Sequence, residues 1–359
     1  MASRSKPAQV VNERAHPVVV ITGASAGVGR AAAHQFGREG WSVGLIARDA
    51  AALEDVAEEV RKLGGRAMAA GADVADSAQL FAAAQTIETA LGAPDVWVND
   101  AMATVFSPVW KISPEEFRRV TEVTYLGFVH GTMAALRSMR ARRCGVIVQV
   151  GSALAYRGIP LQSAYCGAKH AIRGFTDSVR TELMHERSGV RLTIVELPAI
   201  NSPQFDWART HMPRRPRPMG EVFEPEAAAR AVWRAALNPR REYWLGRTTL
   251  LTILGDLVAP GWLDRILANN SVSGQQTAEA VGSERRDNLF KPVHDLHRTR
   301  GSFTDEAHPR AVMVPGEFAR GGSVMLGALT FLGAGLTVGL SLRRARPARD
   351  GNRPAPETG

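Results

Sequence analysis

Tyr165 and Lys169 stand four residues apart, and Ser152 precedes the tyrosine by thirteen residues. On a helix, positions i and i+4 share one face, so this phenol and ammonium could project into one pocket. A phenol titrates near pH ~10, and a nearby cation lowers that pKa toward neutral pH. Ser152 follows the apolar run 146–150, and its hydroxyl could hydrogen-bond a substrate oxygen. Together the three residues predict proton transfer on a carbonyl or alcohol, although Tyr-xxx-Lys alone occurs by chance on many helices.

Strand-like and helix-like patterns alternate along the chain that must position these residues. Short apolar runs occur at 17–22, 41–47, 66–72, 94–99, 146–150, 190–197 and 242–245. Helical patterns between them end at Gly40 and cover 51–63, 77–91, 114–139, 163–187 and 224–237. This order predicts an α/β fold, with a doubly wound parallel sheet covered by helices on both faces.

Glycine and polar residues follow the predicted strands at the points where they end. A glycine turn follows the first strand, and the next five are followed by Arg48, Asp73, Asn99, Ser152 and Pro198. Ligands of such a sheet bind at the carboxyl ends of its strands. We therefore expect these residues to line one site.

The turn Gly23-Ala-Ser-Ala-Gly-Val-Gly29 lies between a strand and a helix. Glycines allow a tight turn and a close approach of the backbone, and the helix N-terminus attracts a pyrophosphate. We expect dinucleotide contacts from Gly23, Ser25, Gly27, Val28 and Gly29. A glycine turn at this place can also have only a structural role.

The end of the second strand indicates which dinucleotide binds. An acidic residue there pairs with a ribose 2′-hydroxyl, whereas an arginine accommodates a 2′-phosphate. Arg48 is the first charged residue after this strand. Asp49 follows, but we interpret it as the N-cap of the next helix. The sequence therefore favours NADP(H) over NAD(H).

In this order and spacing, the motifs resemble the classical short-chain dehydrogenase/reductase family over about residues 17–246. They are Thr22-Gly-xxx-Gly-x-Gly29, Asp73-Val74, Asn99, Ser152, Tyr165-xxx-Lys169 and Pro198. The resemblance implies a Rossmann fold and NAD(P)-dependent interconversion of a carbonyl and an alcohol. It also implies a homo-oligomer.

The resemblance implies a role for each of these residues. Tyr165 would be the proton donor or acceptor, and Ser152 would orient the substrate oxygen. Lys169 would lower the tyrosine pKa and hold the nicotinamide ribose. Further cofactor contacts would come from Asp73, Val74, Asn99, Ala101 and Pro198.

Two positions depart from the family's pattern. The usual Asn-Asn-Ala-Gly after the fourth strand is Asn99-Asp-Ala-Met102 in this chain. The helix asparagine that holds a water in the family's proton relay aligns with Thr124, which lacks the reach of an amide. Thr124 therefore predicts reduced or rerouted activity, but not its loss.

Charge and cysteine content argue against several classes of protein. The chain of 359 residues has a net charge of +9, of which the residues from Arg320 onward contribute +4. A basic tail on an ordinary domain does not predict nucleic acid binding. Two cysteines form neither a disulfide framework nor a metal site, which fits a reduced, cytoplasmic compartment. No apolar signal-peptide core precedes His16, so secretion is not expected.

Three further features have a plain structural interpretation beside a functional one. Cys166 is more simply a small helix residue than a redox sensor. His294 and His297 are three residues apart, but charged neighbours indicate a solvated segment and no metal site. The run 213–218 lies where the family places its substrate lid. It is either a stiff exposed loop or a selector for an anionic substrate.

The C-terminal third lies beyond the resemblance. The predicted organisation is an N-terminal segment 1–16, a catalytic domain 17–250, an extension 251–290, a polar linker 291–320, a membrane helix 321–342 and a basic tail 343–359. The 22 uncharged residues of 321–342 would cover ~33 Å as a helix, enough for a ~30 Å hydrocarbon core. This predicts association with the cytoplasmic face of a membrane. A re-entrant, surface-lying or buried helix is the alternative.

Two classes of function follow. The first is an NADP(H)-dependent oxidoreductase acting on an apolar small-molecule carbonyl or alcohol, which the set Ser152, Tyr165 and Lys169 favours. The alternative is a nucleotide-binding regulatory or scaffold protein with the same fold and little turnover. The departures at Thr124 and at residues 100–102 favour this alternative.

Overall fold

An eight-stranded sheet forms the centre of the computed structural model, which describes residues 16–321. The strands are β1 Val18–Thr22, β2 Ser42–Ala47, β3 Arg66–Gly71, β4 Val96–Asn99, β5 Val146–Val150, β6 Arg191–Glu196, β7 Glu242–Leu245 and β8 Met313–Pro315. Their order across the sheet is β8-β7-β6-β5-β4-β1-β2-β3. Neighbouring strands are parallel, except that β8 is antiparallel to β7. The predicted α/β fold with a mostly parallel sheet is confirmed.

Helices alternate with most of the strands, as predicted. They are α1 Gly27–Arg38, α2 Ala50–Lys62, α3 Ser77–Leu91, α4 Pro114–Thr121, α5 Gly127–Arg142, α6 Ser163–His185, α7 Pro225–Leu237, α8 Gly246–Val258 and α9 Pro260–Gly274. A π-helical turn, Glu122–Leu126, joins α4 to α5. The predicted helix 114–139 therefore contains one widened turn, and Thr124 lies in it.

The two faces of the sheet carry separate apolar cores. Successive residues of a strand point to opposite faces, so Val19 and Ile21 of β1 join one core while Val20 joins the other. Residues of α1, α2 and α7 complete the first core, and residues of α3, α5 and α6 complete the second. Burial on both faces explains why these strands are continuous apolar runs.

Short strands join the loops after β6 to one another, to the loop after β4 and to segments that follow α9. They pair Val105–Phe106 with Arg209–Thr210, Arg214–Pro216 with Gln276–Ala280, and Val222–Phe223 with both Ala199–Ile200 and Ala307–His308. A one-turn helix, Gln204–Trp207, lies between them in sequence. Part of the predicted lid 213–218 is therefore a strand, held by backbone hydrogen bonds to the extension.

Residues 16–316 belong to one compact unit, and 317–321 belong to a second. Among residues 16–321, no helix is long and apolar enough to cross a bilayer. Apart from residue 321, the predicted span 321–342 lies outside the described residues, as does the basic tail.

Candidate active site

A cleft of about 370 Å³ lies at the carboxyl ends of the parallel strands. It brings together most of the residues predicted from the sequence. These are Gly23, Ser25, Gly27, Val28, Arg48, Asp73, Val74, Ala101, Ser152, Tyr165, Lys169 and Pro198. The predicted residues Gly29, Asn99 and Thr124 do not line it.

The turn between β1 and α1 leaves space for a ligand because glycines occupy its tightest positions. Gly23 has φ +73° and Gly27 has φ +57°, the left-handed region that favours glycine. A Cβ on Gly23 would lie 2.8 Å from the Cα of Ala101, and one on Gly29 would lie 2.4 Å from the carbonyl oxygen of Gly23. Gly29 therefore allows close packing of the turn, while Gly27 brings the positive end of α1 to the cleft.

Ser152, Tyr165 and Lys169 meet where β5 ends and α6 begins. Ser152 Oγ accepts a hydrogen bond from the Leu154 amide at 3.2 Å, which caps a short 3₁₀ turn, and it also hydrogen-bonds the phenol of Tyr165. Lys169 Nζ lies 5.5 Å from the centroid of the Tyr165 ring and donates to the carbonyl oxygen of Val150 at 2.7 Å. The i, i+4 spacing thus places both side chains in one pocket, as predicted.

Burial raises the pKa of Tyr165 above its ordinary value. The hydrogen bond from Ser152 lowers it, but the charges of Asp100 and Glu196 raise it further. Burial therefore outweighs the influences that lower this pKa, and the lowering by Lys169 stays a prediction. The phenol stays protonated at neutral pH, and its raised pKa makes it a weaker proton donor.

Two buried acids share the surroundings of Lys169. Burial lowers the pKa of the Lys169 ammonium, while the negative charges of Asp100 and Glu196 oppose this shift. Burial likewise raises the pKa of Asp100, and burial together with the neighbouring Glu242 raises that of Glu196 to about 8. The charge of Lys169 therefore depends on both acids.

Sequence reasoning treated Asp100 only as a departure from a family pattern, and it missed Glu196. The available signal for Glu196 was an acidic residue directly after the apolar pair Ile194 and Val195, at the end of β6. A Cβ on Gly151 would lie 2.2 Å from Glu196 Oε2. The absence of a side chain at Gly151 therefore makes room for this carboxyl group.

Asn99 and Thr124 stabilise the structure behind the cleft. Asn99 Oδ1 accepts from the indole of Trp97 at 2.8 Å, and Asn99 Nδ2 donates to Gln149 Oε1 at 2.8 Å. Thr124 Oγ1 accepts from the amide of Ala103 at 3.0 Å and donates to its carbonyl oxygen at 2.8 Å. Thr124 thus holds the loop after β4, and these two hydrogen bonds do not involve Lys169.

Arg48 and Asp73 lie at the other end of the cleft, where both are already engaged. Arg48 donates to the carbonyl oxygens of Asn288 at 2.5 Å and Leu289 at 3.3 Å. Asp73 forms an ion pair with Arg119. Burial, followed by repulsion from Arg119, lowers the pKa of Arg48.

The carbonyl partners of Arg48 belong to residues 288–298, which cross from the predicted extension into the predicted linker and which we call the strap. The amide of Gly27 donates to the carbonyl oxygen of Arg298 at 3.0 Å, and Arg30 donates to that of His297 at 2.9 Å. The side chain of His297 is only 8% exposed. The prediction of a solvated segment is therefore wrong at His297, because the strap packs against the cleft.

The remaining wall of the cleft is largely apolar and comes from the loops after β4 and β5, the residues around the predicted lid, and the extension. It includes Met102, Ile159, Met219, Leu263 and Leu267. Arg217 and Pro218 of the predicted lid line it too. Burial raises the pKa of the nearby Cys166 thiol to about 11, which fits a small helix residue better than a redox sensor.

Comparison with known proteins agrees with the fold. The family model described as short chain dehydrogenase matches residues 17–212. An uncharacterised oxidoreductase, YxnA of Bacillus subtilis, is 32% identical over 292 residues, which cover 79% of this chain and 81% of that protein. The chain therefore belongs to the short-chain dehydrogenase/reductase family and is an NAD(P)-dependent oxidoreductase.

Two further proteins show how far the similarity extends. Dehydrogenase/reductase SDR family member 7B of Bos taurus is 34% identical over 188 residues, or 50% of this chain and 56% of that protein. The chain thus spans little more than half of that relative. A metagenomic short-chain oxidoreductase crystallised with NADP is 27% identical, with a TM-score of 0.54 over 63% of this chain and 95% of that one.

Proposed function

We propose that the protein is an NADP(H)-dependent reductase of an apolar ketone or aldehyde, or a dehydrogenase of the corresponding alcohol. The observation that carries this proposal is the meeting of Ser152, Tyr165 and Lys169 in the cleft that also contains the glycine turn. The largely apolar wall of the cleft, which includes Met102, Ile159 and Leu263, supports an apolar substrate.

The residues of the cleft fit a nicotinamide dinucleotide. Side chains at Gly23 and Gly27 would need strained backbone, and one at Gly23 would meet the backbone of Ala101. A pyrophosphate would lie at this turn, near the N-terminus of α1. Arg48 stands at the end of β2, and the related metagenomic enzyme was crystallised with NADP, so we favour the 2′-phosphorylated form.

The bound nicotinamide would supply or accept a hydride, and the chain's own residues would manage the proton. Ser152 would orient the substrate oxygen, and Tyr165 would donate a proton to it during reduction. Burial raises the pKa of Tyr165, which keeps the phenol protonated at neutral pH but opposes release of that proton. Lys169 would hold positive charge close to the phenol and so favour the phenolate that forms.

Replacement of Tyr165 by phenylalanine tests this mechanism. We expect NADPH oxidation with a panel of apolar carbonyls to fall by about 10²–10⁴-fold, the usual contribution of a general acid. The affinity for NADPH, measured by calorimetry, should stay within a few-fold. Tyr125→Phe is the matched control, since Tyr125 packs edge-on against Phe175. Equal turnover in the wild type and the Tyr165→Phe variant would refute the mechanism.

The same measurements distinguish the alternative function. A wild-type protein that binds NADPH but turns over no carbonyl or alcohol in the panel would support a regulatory or scaffold role. The departures from the family pattern at Thr124 and Met102 motivate this alternative. The intact set of Ser152, Tyr165 and Lys169 favours the enzyme.

We also propose that segment 321–342 associates with the cytoplasmic face of a membrane. Its 22 uncharged residues and the arginines that follow support this proposal. Membrane fractionation with and without residues 320–359 tests it. Full-length protein found only in the soluble fraction would contradict the association.

A further inference from the structure

Asp49 holds an unusual position between the end of β2 and the strap. It is 4% exposed, and it lines the cleft beside Arg48. Its Oδ1 accepts from the amide of Ala52 at 3.2 Å, which confirms the predicted N-cap of α2. Its Oδ2 lies 2.5 Å from His294 Nδ1 and 3.1 Å from His297 Nε2. One carboxylate oxygen therefore caps helix α2, and the other faces two imidazoles.

Arg48 and Asp49 are adjacent, but they favour different forms of the cofactor. An arginine there accommodates a ribose 2′-phosphate, whereas a carboxylate favours the bare 2′-hydroxyl and repels a phosphate. In a partly buried cleft this repulsion is stronger than in water. A chain that accepts NADP(H) must therefore reduce the effect of the negative charge on Asp49.

We propose that His294 and His297 act as positioning residues that determine cofactor specificity. By holding the Asp49 carboxylate and compensating its charge, they let the end of β2 accept a 2′-phosphate. The strap contributes further by orienting Arg48 through the carbonyl oxygens of residues 288 and 289. This inference rests on the proposed use of NADP(H).

The charges around the two histidines indicate a pH dependence. Asp49 faces them from the start of α2, Arg30 faces them from α1, and the indole of Trp207 lies 5.2 Å from the His297 ring. The neighbouring Asp295 of the strap is paired with Arg286. Burial lowers the pKa of His297, Asp49 opposes this, and Arg30 and His294 add to it. Compensation of Asp49 should therefore weaken as the pH rises.

The test is the ratio of the dissociation constants for NADPH and NADH, measured by calorimetry at about pH 6 and pH 8. We expect the double variant His294→Asn and His297→Asn to lose roughly tenfold of its preference for NADPH at pH 6, because an uncompensated carboxylate remains. Adding Asp49→Asn should restore the preference, since asparagine still caps the helix. His185→Asn, at an exposed position on α6, is the matched control and should leave the ratio unchanged.

Asp49→Asn alone gives an independent measurement, which does not depend on folding of the double variant. We expect its preference for NADPH to be at least that of the wild type and not to decrease between pH 6 and pH 8. Circular dichroism of each variant checks that it is folded.

The outcomes separate this inference from the proposed function. If the wild type prefers NADPH and the double variant has the same ratio of dissociation constants, only the role of the histidines is overturned. Loss of the preference without recovery in the triple variant would show a structural effect and would also overturn it. A wild type that binds neither dinucleotide would instead overturn the proposed function.

Discussion

Replacing Gly23 by alanine should destabilise the protein through two separable effects. The first is backbone strain, since φ is +73° and a non-glycine residue in the left-handed region costs ~1–2 kcal/mol. The second is a collision, because the new Cβ would lie 2.8 Å from both Cα and N of Ala101. Those are backbone atoms, and the amides of Asp100 and Ala101 are held by Thr22 Oγ1 at 3.1 and 3.3 Å. The loop therefore cannot easily move away, and overpacking adds ~1–3 kcal/mol.

Gly40 offers a matched control for the strain. Its φ is +76°, but a Cβ there would meet nothing within 4 Å. We expect Gly40→Ala to lower the free energy of unfolding by ~1–2 kcal/mol. Gly23→Ala should lower it by about 2–5 kcal/mol. Urea unfolding followed by circular dichroism measures both.

The two variants should also differ in binding. Gly23→Ala shifts the turn and the loop that line the cleft, so we expect at least a roughly tenfold weaker affinity for NADPH. Gly40→Ala should bind as the wild type does. If both variants lose the same stability and bind equally well, the close approach of Gly23 to Ala101 does not shape the site.

Two further predictions concern buried polar groups. The pKa of Glu196 is about 8, above its ordinary 4.5. As the pH rises, the unfolded chain therefore releases this proton at a lower pH than the folded chain does, and the wild type loses stability between these two values. Glu196→Gln should remove up to roughly 3 kcal/mol of that loss between about pH 5.5 and 8.5. Urea unfolding at both pH values measures the loss, and the exposed Glu284→Gln should leave it unchanged. An equal loss of stability with pH in the wild type and in Glu196→Gln would refute this role of Glu196. Thr124→Val leaves the amide and carbonyl of Ala103 unpaired and should cost ~1–3 kcal/mol in urea unfolding, whereas Thr124→Ser should recover most of it. An unchanged stability in the valine variant would contradict this role.

Periodicity and strand ends predicted the fold and the composition of the cleft well. The parallel strands other than β3 are largely buried on both faces, which leaves clear apolar runs, and the residue after each strand falls at one edge of the sheet. Ser152, Tyr165 and Lys169 could be assigned to one pocket for this reason. Their spacing along the chain determines their spacing in the fold.

Effects that depend on burial and on distant segments could not be predicted in the same way. The pKa of Tyr165 rises because the fold excludes water from the phenol, and no residue near it in sequence shows this. His294 is more than two hundred residues from Asp49, so their contact has no local pattern. The extension lacks the regular period of the catalytic domain, and its place over the cleft follows only from the folded structure.

The strand β8 has a consequence for how copies of this chain can associate. A strand at the edge of a sheet exposes unpaired amide and carbonyl groups, which can pair with another chain. Residues 313–315 occupy that position beside β7, through antiparallel pairing at Tyr243, Trp244 and Leu245. This pairing covers the outer side of β7 and moves the edge of the sheet to β8. An oligomer that continued the sheet on this side would have to pair through the three residues of β8, which offer few such hydrogen bonds.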